Sequence, residues 1–102
     1  MNSLTPQACT GLDDIRAEID QIDQAMIRLI GTRRQYVMAA ARFKTDPTAV
    51  GAPERFKTML EKRRQWATEN GVHPDLIEKL YSDLVHHFIK EEMQHWQALQ
   101  AS

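Results

Sequence analysis

The sequence predicts an all-α chain of three helices, long, short and long, built to pair with a second copy of itself. Three observations carry this. Apolar residues recur at alternating steps of three and four along two long segments. No segment alternates with period two. Clusters rich in Pro, Gly, Asn and Asp break the helical rhythm near 45–53 and near 70–75. A length of 102 residues fits one domain.

Residues 1–11 are polar, are broken by Pro6 and Gly11, and read as an arm outside the core. Leu12, Ile15, Ile19, Ile22, Met26 and Leu29 then set the rhythm, which Arg33, Tyr36, Ala40 and Phe43 continue. Asp13 and Asp14 stand in the first turn, where the helix dipole favours negative charge. Gly31 weakens this helix without ending it. About 32 residues at ~1.5 Å each span roughly 48 Å. A compact domain of this size has a radius of gyration near ~13 Å. Two further helices cannot cover so long a stripe, so the reading is an intertwined homodimeric helical bundle with a shared core.

Residues 45–53, Thr-Asp-Pro-Thr-Ala-Val-Gly-Ala-Pro, are turn-rich and end the first helix. With Lys44 at its hinge, this loop of about 45–53 is expected to act as a lid. The second helix starts near Pro53, whose fixed φ suits a first helical position, and its apolar face is Phe56, Met59, Leu60 and Trp66. Asn70-Gly71 stops it, and Pro74-Asp75 opens the third helix. The third stripe runs through Leu76, Ile77, Leu80, Tyr81, Leu84, Val85, Phe88, Ile89, Met93, Trp96 and Leu99. The domain is therefore placed at 12–100.

Composition narrows the function classes. Thirteen Lys+Arg face 14 Asp+Glu, a formal net charge of -1, without the basic excess of a general nucleic-acid binder. One Cys rules out a disulfide framework and a four-Cys zinc site. No apolar run approaches the ~20 residues of a membrane span, and Met1 to Gly11 has no basic and apolar leader pattern. The expectation is a cytoplasmic protein without membrane partners.

The informative residues are charges that interrupt apolar stripes. Arg33 lies among Leu29, Ile30, Val37 and Ala40, and Lys44 follows Val37, Ala40 and Ala41. Glu92 lies between Phe88, Ile89 and Trp96, and Arg16 borders Leu12, Ile15 and Ile19. Burying unpaired charge costs several kcal/mol, so each needs a partner. One reading is internal salt bridging, for example Glu92 with Arg33. The other is a cationic pocket inside a bundle, whose excess positive charge suits a small ligand with two carboxylates.

Other signals are weaker. His87, Glu91 and His95 share a helical face, but that spacing is common by chance and no metal is expected. Cys9 has no basic neighbour to activate it. Lys62, Arg63 and Arg64 read as a solvated surface, and Trp66 and Trp96 as core or dimer packing.

In order along the chain, Leu12-x-x-x-Arg16-x-x-Ile19-Asp20-x-x-Asp23, Arg33-x-x-Tyr36-Val37-x-x-Ala40-x-x-x-Lys44 and Pro53-Glu54-Arg55 resemble the all-helical (type II) chorismate mutase family. Cys9-Thr10-Gly11-Leu12, Arg42-Phe43-Lys44, Ala52-Pro53-Glu54-Arg55 and Trp66-Ala67 with Glu69-Asn70-Gly71 resemble its isochorismate pyruvate lyase branch, which makes salicylate for siderophores. The resemblance runs from about Cys9 to Trp96. It implies an intertwined homodimer with two active sites. It implies that Arg16 reaches into the partner's pocket, that Arg33 binds the other substrate carboxylate, and that Lys44 donates to the ether oxygen and a carboxylate. Arg55 is implied on the ring side, with Val37, Met59 and Ile89 as apolar wall.

Mutases of this type carry acidic residues around the start of the second helix, one of which grips the ring hydroxyl of chorismate. The matching places here are Ala52 and Phe56, both apolar, which favours isochorismate. The implied reaction gives salicylate and pyruvate by a pericyclic hydrogen shift, without cofactor, metal or nucleophile. The protein must hold a compact conformer and stabilise charge on the ether oxygen. One departure stands out: the lyases carry Gln where this chain has Glu92. A Gln amide donates to the ether oxygen, an ionised Glu cannot, and a protonated Glu can. Activity is therefore expected to need protonated Glu92 and to fall as pH rises. The alternatives are a dedicated chorismate mutase and a non-catalytic helical dimer serving as an interaction module.

Overall fold

The structure, a computed structural model, describes residues 3–101. It is helical, with α1 at Leu12–Ala40, α2 at Pro47–Gly51, α3 at Pro53–Glu69 and α4 at Pro74–Ala101, and with 3-10 turns at Pro6–Ala8 and Ala41–Phe43. Two units divide after Gln35.

The first unit holds the arm and most of α1. Thr10 donates to Asp14 Oδ2 through both its backbone N–H (3.0 Å) and its hydroxyl (2.9 Å), which satisfies a donor at the helix entry. These two bonds hold the Asp14 carboxyl below its ordinary value of 3.8. The arm folds back along the helix: Leu4 N–H donates to Glu18 Oε1 at 3.0 Å. The Cys9 thiol donates to the Thr5 carbonyl at 3.5 Å. Partial burial, with Asp14 and Glu18 nearby, pushes that thiol above its ordinary 9.0, the direction of an inert cysteine.

Along its 29 residues α1 buries no side chain. Ile22 is 57% exposed and Leu29 63%, and Leu12, Ile19 and Met26 are exposed as well. The predicted stripe is present as a helical face, but it is not a core within the chain.

The second unit is packed. Here α3, α2 and the 3-10 turn at Ala41–Phe43 each lie against α4. Ala41, Val50, Met59, Ala67 and Phe88 are buried, together with one charged side chain, Glu92. The end of α1 tightens into 3-10 geometry, and three residues per turn advances the register. Ala41 turns inward and Phe43 outward, where the Arg42 guanidinium covers its ring at 4.7 Å.

The segment read as a plain loop contains the five-residue helix α2. Asp46 caps it, accepting from Ala49 N–H at 2.9 Å, and Pro47 opens it. Buried Val50 is its anchor. Between α2 and α3 the chain reverses at Ala52, whose φ of 42° is left-handed. A Cβ at such an angle costs about 1 kcal/mol. Ala52→Gly is therefore expected to raise stability by about 0.5–1 kcal/mol, read as a thermal midpoint a few degrees higher. A lower midpoint would contradict this account of the hinge.

α3 ends where the sequence says. Gly71 adopts φ 72°, its N–H donates to the Thr68 carbonyl at 3.2 Å, and Val72 N–H donates to Ala67 at 2.8 Å. Its inward face differs from the expected one. Met59 and Ala67, eight residues apart, point in, while Trp66 is 47% exposed. The charge run is only partly solvated. Arg63 stacks over Trp66 (4.9 Å) and Tyr81 (5.4 Å), and Arg64 pairs with Asp75 at 2.8 Å and with Glu78 at 3.4 Å. Arg64 holds the Asp75 carboxyl below 3.8.

Candidate active site

The second unit is organised around one ion pair. On α4, Phe88, Glu92 and Trp96 follow at steps of four and so share a helical face. Glu92 is only 3% exposed. Facing it is Lys44, an extended residue (φ -99°, ψ 138°) that directly follows the 3-10 turn and precedes the capped start of α2. Lys44 Nζ donates to Glu92 Oε2 at 2.6 Å. The carboxylate that the sequence offered to Arg33 is thus held by Lys44, whose side chain keeps 24% of its surface exposed. A half-open ammonium over a buried carboxylate can hand its proton donors to an incoming anion while the carboxylate stays behind.

A second bond joins the same two elements. The Trp96 indole N–H donates to the Lys44 carbonyl at 2.9 Å. Sequence reasoning placed Trp96 in packing alone, and no local signal could have found a backbone partner 52 residues away.

The other site candidates are distributed as follows. Arg16 is exposed and Arg33 half-buried, both on the part of α1 in the first unit. They are 17 residues apart on one helix, which separates them by about 26 Å along its axis. In the second unit Val37 and Ile89 are half-buried and Met59 is buried. Arg55 is exposed in the first turn of α3 and borders an open depression lined also by Asp46, Thr48, Ala52 and Pro53. Phe56 turns its ring to His86, 5.0 Å between centroids, and so presents no polar group there. On the outer face of α4, His87 Nε2 lies 2.8 Å from Glu91 Oε1. Among the described residues no cluster of three potential metal ligands occurs. None of the described helices is long and apolar enough to cross a membrane.

Residues 15–93 match the family described as Chorismate mutase type II. The chain belongs to the chorismate mutase type II family. Its similarity to the isochorismate pyruvate lyase of Pseudomonas aeruginosa is 45% identity over 92 residues, covering 90% of this chain and 91% of that protein. It is also 36% identical over 81 residues to the T-protein of Haemophilus influenzae, and 37% over 68 residues to that of Enterobacter agglomerans. These alignments cover 78% and 66% of this chain but 20% and 18% of those longer proteins. Membership puts the all-helical order and the Lys44–Glu92 pair in one frame, because the matched stretch includes both residues.

Proposed function

We propose that this chain is an isochorismate pyruvate lyase, converting isochorismate to salicylate and pyruvate, with weak chorismate mutase activity on the side. The carrying observation is the 45% identity to a lyase over nine-tenths of both chains. Ala52 and Phe56 support it, since neither offers a polar group at the start of α3 for a chorismate ring hydroxyl.

In this reading the hydrogen moves from the ring to the enolpyruvyl methylene as the C–O bond breaks, so no outside reactant is consumed. Lys44 releases Glu92 and donates to the ether oxygen, where negative charge develops. Glu92 serves in its protonated form, as a second donor beside Lys44. Arg16 and Arg33 grip the two carboxylates, Arg55 approaches the ring side, and Val37, Met59 and Ile89 form apolar wall. Residues 45–53 close over the site as a lid. Salicylate bound for siderophores and a cytoplasmic setting belong to the same reading.

Two incubations test it. Isochorismate should give the strong fluorescence of salicylate with equal pyruvate, and chorismate a slower formation of prephenate. Prephenate without salicylate would make the protein a dedicated chorismate mutase, the reading that the family match on its own favours. No product from either would leave a helical interaction module.

The active form in this proposal is an intertwined homodimer. About 26 Å along one helix is too far for Arg16 and Arg33 of the same copy to clasp one small dianion. Arg16 of one copy with Arg33 of another removes the difficulty, and the exposed stripe of α1 supplies the surface for pairing. Arg16→Ala and Arg33→Ala should each be nearly inactive alone. Refolded together in equal amounts, they should recover about a quarter of wild-type activity, because half the dimers then hold one intact site of two. No recovery in mixtures whose mass is twice 11.8 kDa would exclude shared sites.

A further inference from the structure

We propose that Trp96 is a positioning residue for Lys44, and that it acts through its indole N–H. This rests on the reading of Lys44 as the donor to the ether oxygen. Lys44 is tied to α4 at two separate points. Its ammonium meets Glu92 at 2.6 Å, and its carbonyl accepts from Trp96 Nε1 at 2.9 Å, one helical turn further along α4. Its own N–H donates to the Ala41 carbonyl at 3.2 Å, closing the 3-10 turn. Both backbone groups of Lys44 are therefore fixed by partners other than the side chains read as binding the substrate.

The two ties have different fates when an anion arrives. The ammonium must leave Glu92 to serve the ligand, and that bond stops holding the segment. The Trp96 bond does not compete with the ligand. It keeps the Lys44 main chain against α4 while the side chain alone swings, so Nζ moves on an anchored stem. Without it, four free side-chain torsions are added to a mobile main chain, and a misplacement near 1 Å at a reacting group can cost about a hundredfold in rate. Half-buried Trp96 thus does more than fill space.

Trp96→Phe keeps most of the ring and deletes the donor. It should lower kcat on isochorismate at least tenfold with KM changed less than threefold. In a Lys44→Ala background the same substitution should cost less than twofold, because the group it positions is gone. In the wild type the Trp96 indole proton should exchange with solvent at least tenfold more slowly than that of free indole. A kcat within twofold of wild type in Trp96→Phe overturns the proposal. An equal loss in both backgrounds overturns it too, by showing a purely structural role. So does unprotected exchange at the indole. If Trp96→Phe fails to fold, benzothienylalanine at 96 replaces only the N–H by sulfur and reads the same comparison. Wild-type protein inactive on both isochorismate and chorismate, yet with a protected indole, would instead mark failure of the functional reading beneath it.

Discussion

Lys44→Ala should lower kcat/KM on isochorismate by 100- to 1,000-fold, whereas Lys57→Ala should leave it within twofold. The expected loss is that of removing one preorganised donor to a developing oxyanion, about 2.7–4 kcal/mol. Lys44 alone of the two meets a buried partner. Lys57 is exposed on α3 and serves as a charge-matched control. The substitution also strands Glu92, and an uncompensated buried carboxylate destabilises by itself. The double variant Lys44→Ala/Glu92→Gln separates the two effects, since it leaves no buried charge at the pair. Folding should recover there, by circular dichroism and thermal midpoint, while the rate stays at least a hundredfold down. Equal losses in Lys44→Ala and Lys57→Ala would end the proposed role.

Glu92→Gln should remove the pH dependence of the reaction on its alkaline side. In the wild type, kcat/KM should fall as pH rises, because the proposed mechanism uses only a donating Glu92. Free of ligand, Glu92 is the acceptor of an ion pair, so it becomes a donor only when substrate takes Lys44 away and a proton comes in. Gln donates at every pH and needs no proton, so the variant profile is level. Catalysis above neutral pH should then be faster in the variant than in the wild type. A wild-type profile level from mildly acidic to mildly alkaline pH would rule out the protonated form as the working one.

The parts of the fold that could be read in advance are those set by neighbours in sequence. Pro53 and Pro74 begin α3 and α4, and Asn70-Gly71 stops α3, because caps and fixed φ angles act within a turn. α2 escaped because five residues cannot display a 3.6-residue period. Asp46 before Pro47 was its one local sign, a capping residue ahead of a first-turn proline. The outward turn of Trp66 and inward turn of Ala67 depend on which side of α3 meets α4, which no pattern within α3 contains. At the site, the anomaly of Glu92 in an apolar stripe was legible, and its partner was not. Lys44 lies 48 residues away, and Arg33 was an equally good cation on composition alone. The Trp96 bond to a main-chain carbonyl left no trace in residue types at all.

The absence of any buried side chain along α1 has a thermodynamic consequence. An amphipathic helix draws its stability from tertiary contacts more than from propensity, so in the proposed homodimer α1 would gain those contacts only on association. In the proposed homodimer, folding and subunit pairing would form a single equilibrium, whose midpoint climbs with the logarithm of protein concentration. Melting curves at micromolar and at nanomolar protein would report different temperatures for the same molecule. A variant's ΔΔG would carry meaning only beside the protomer concentration at which it was taken.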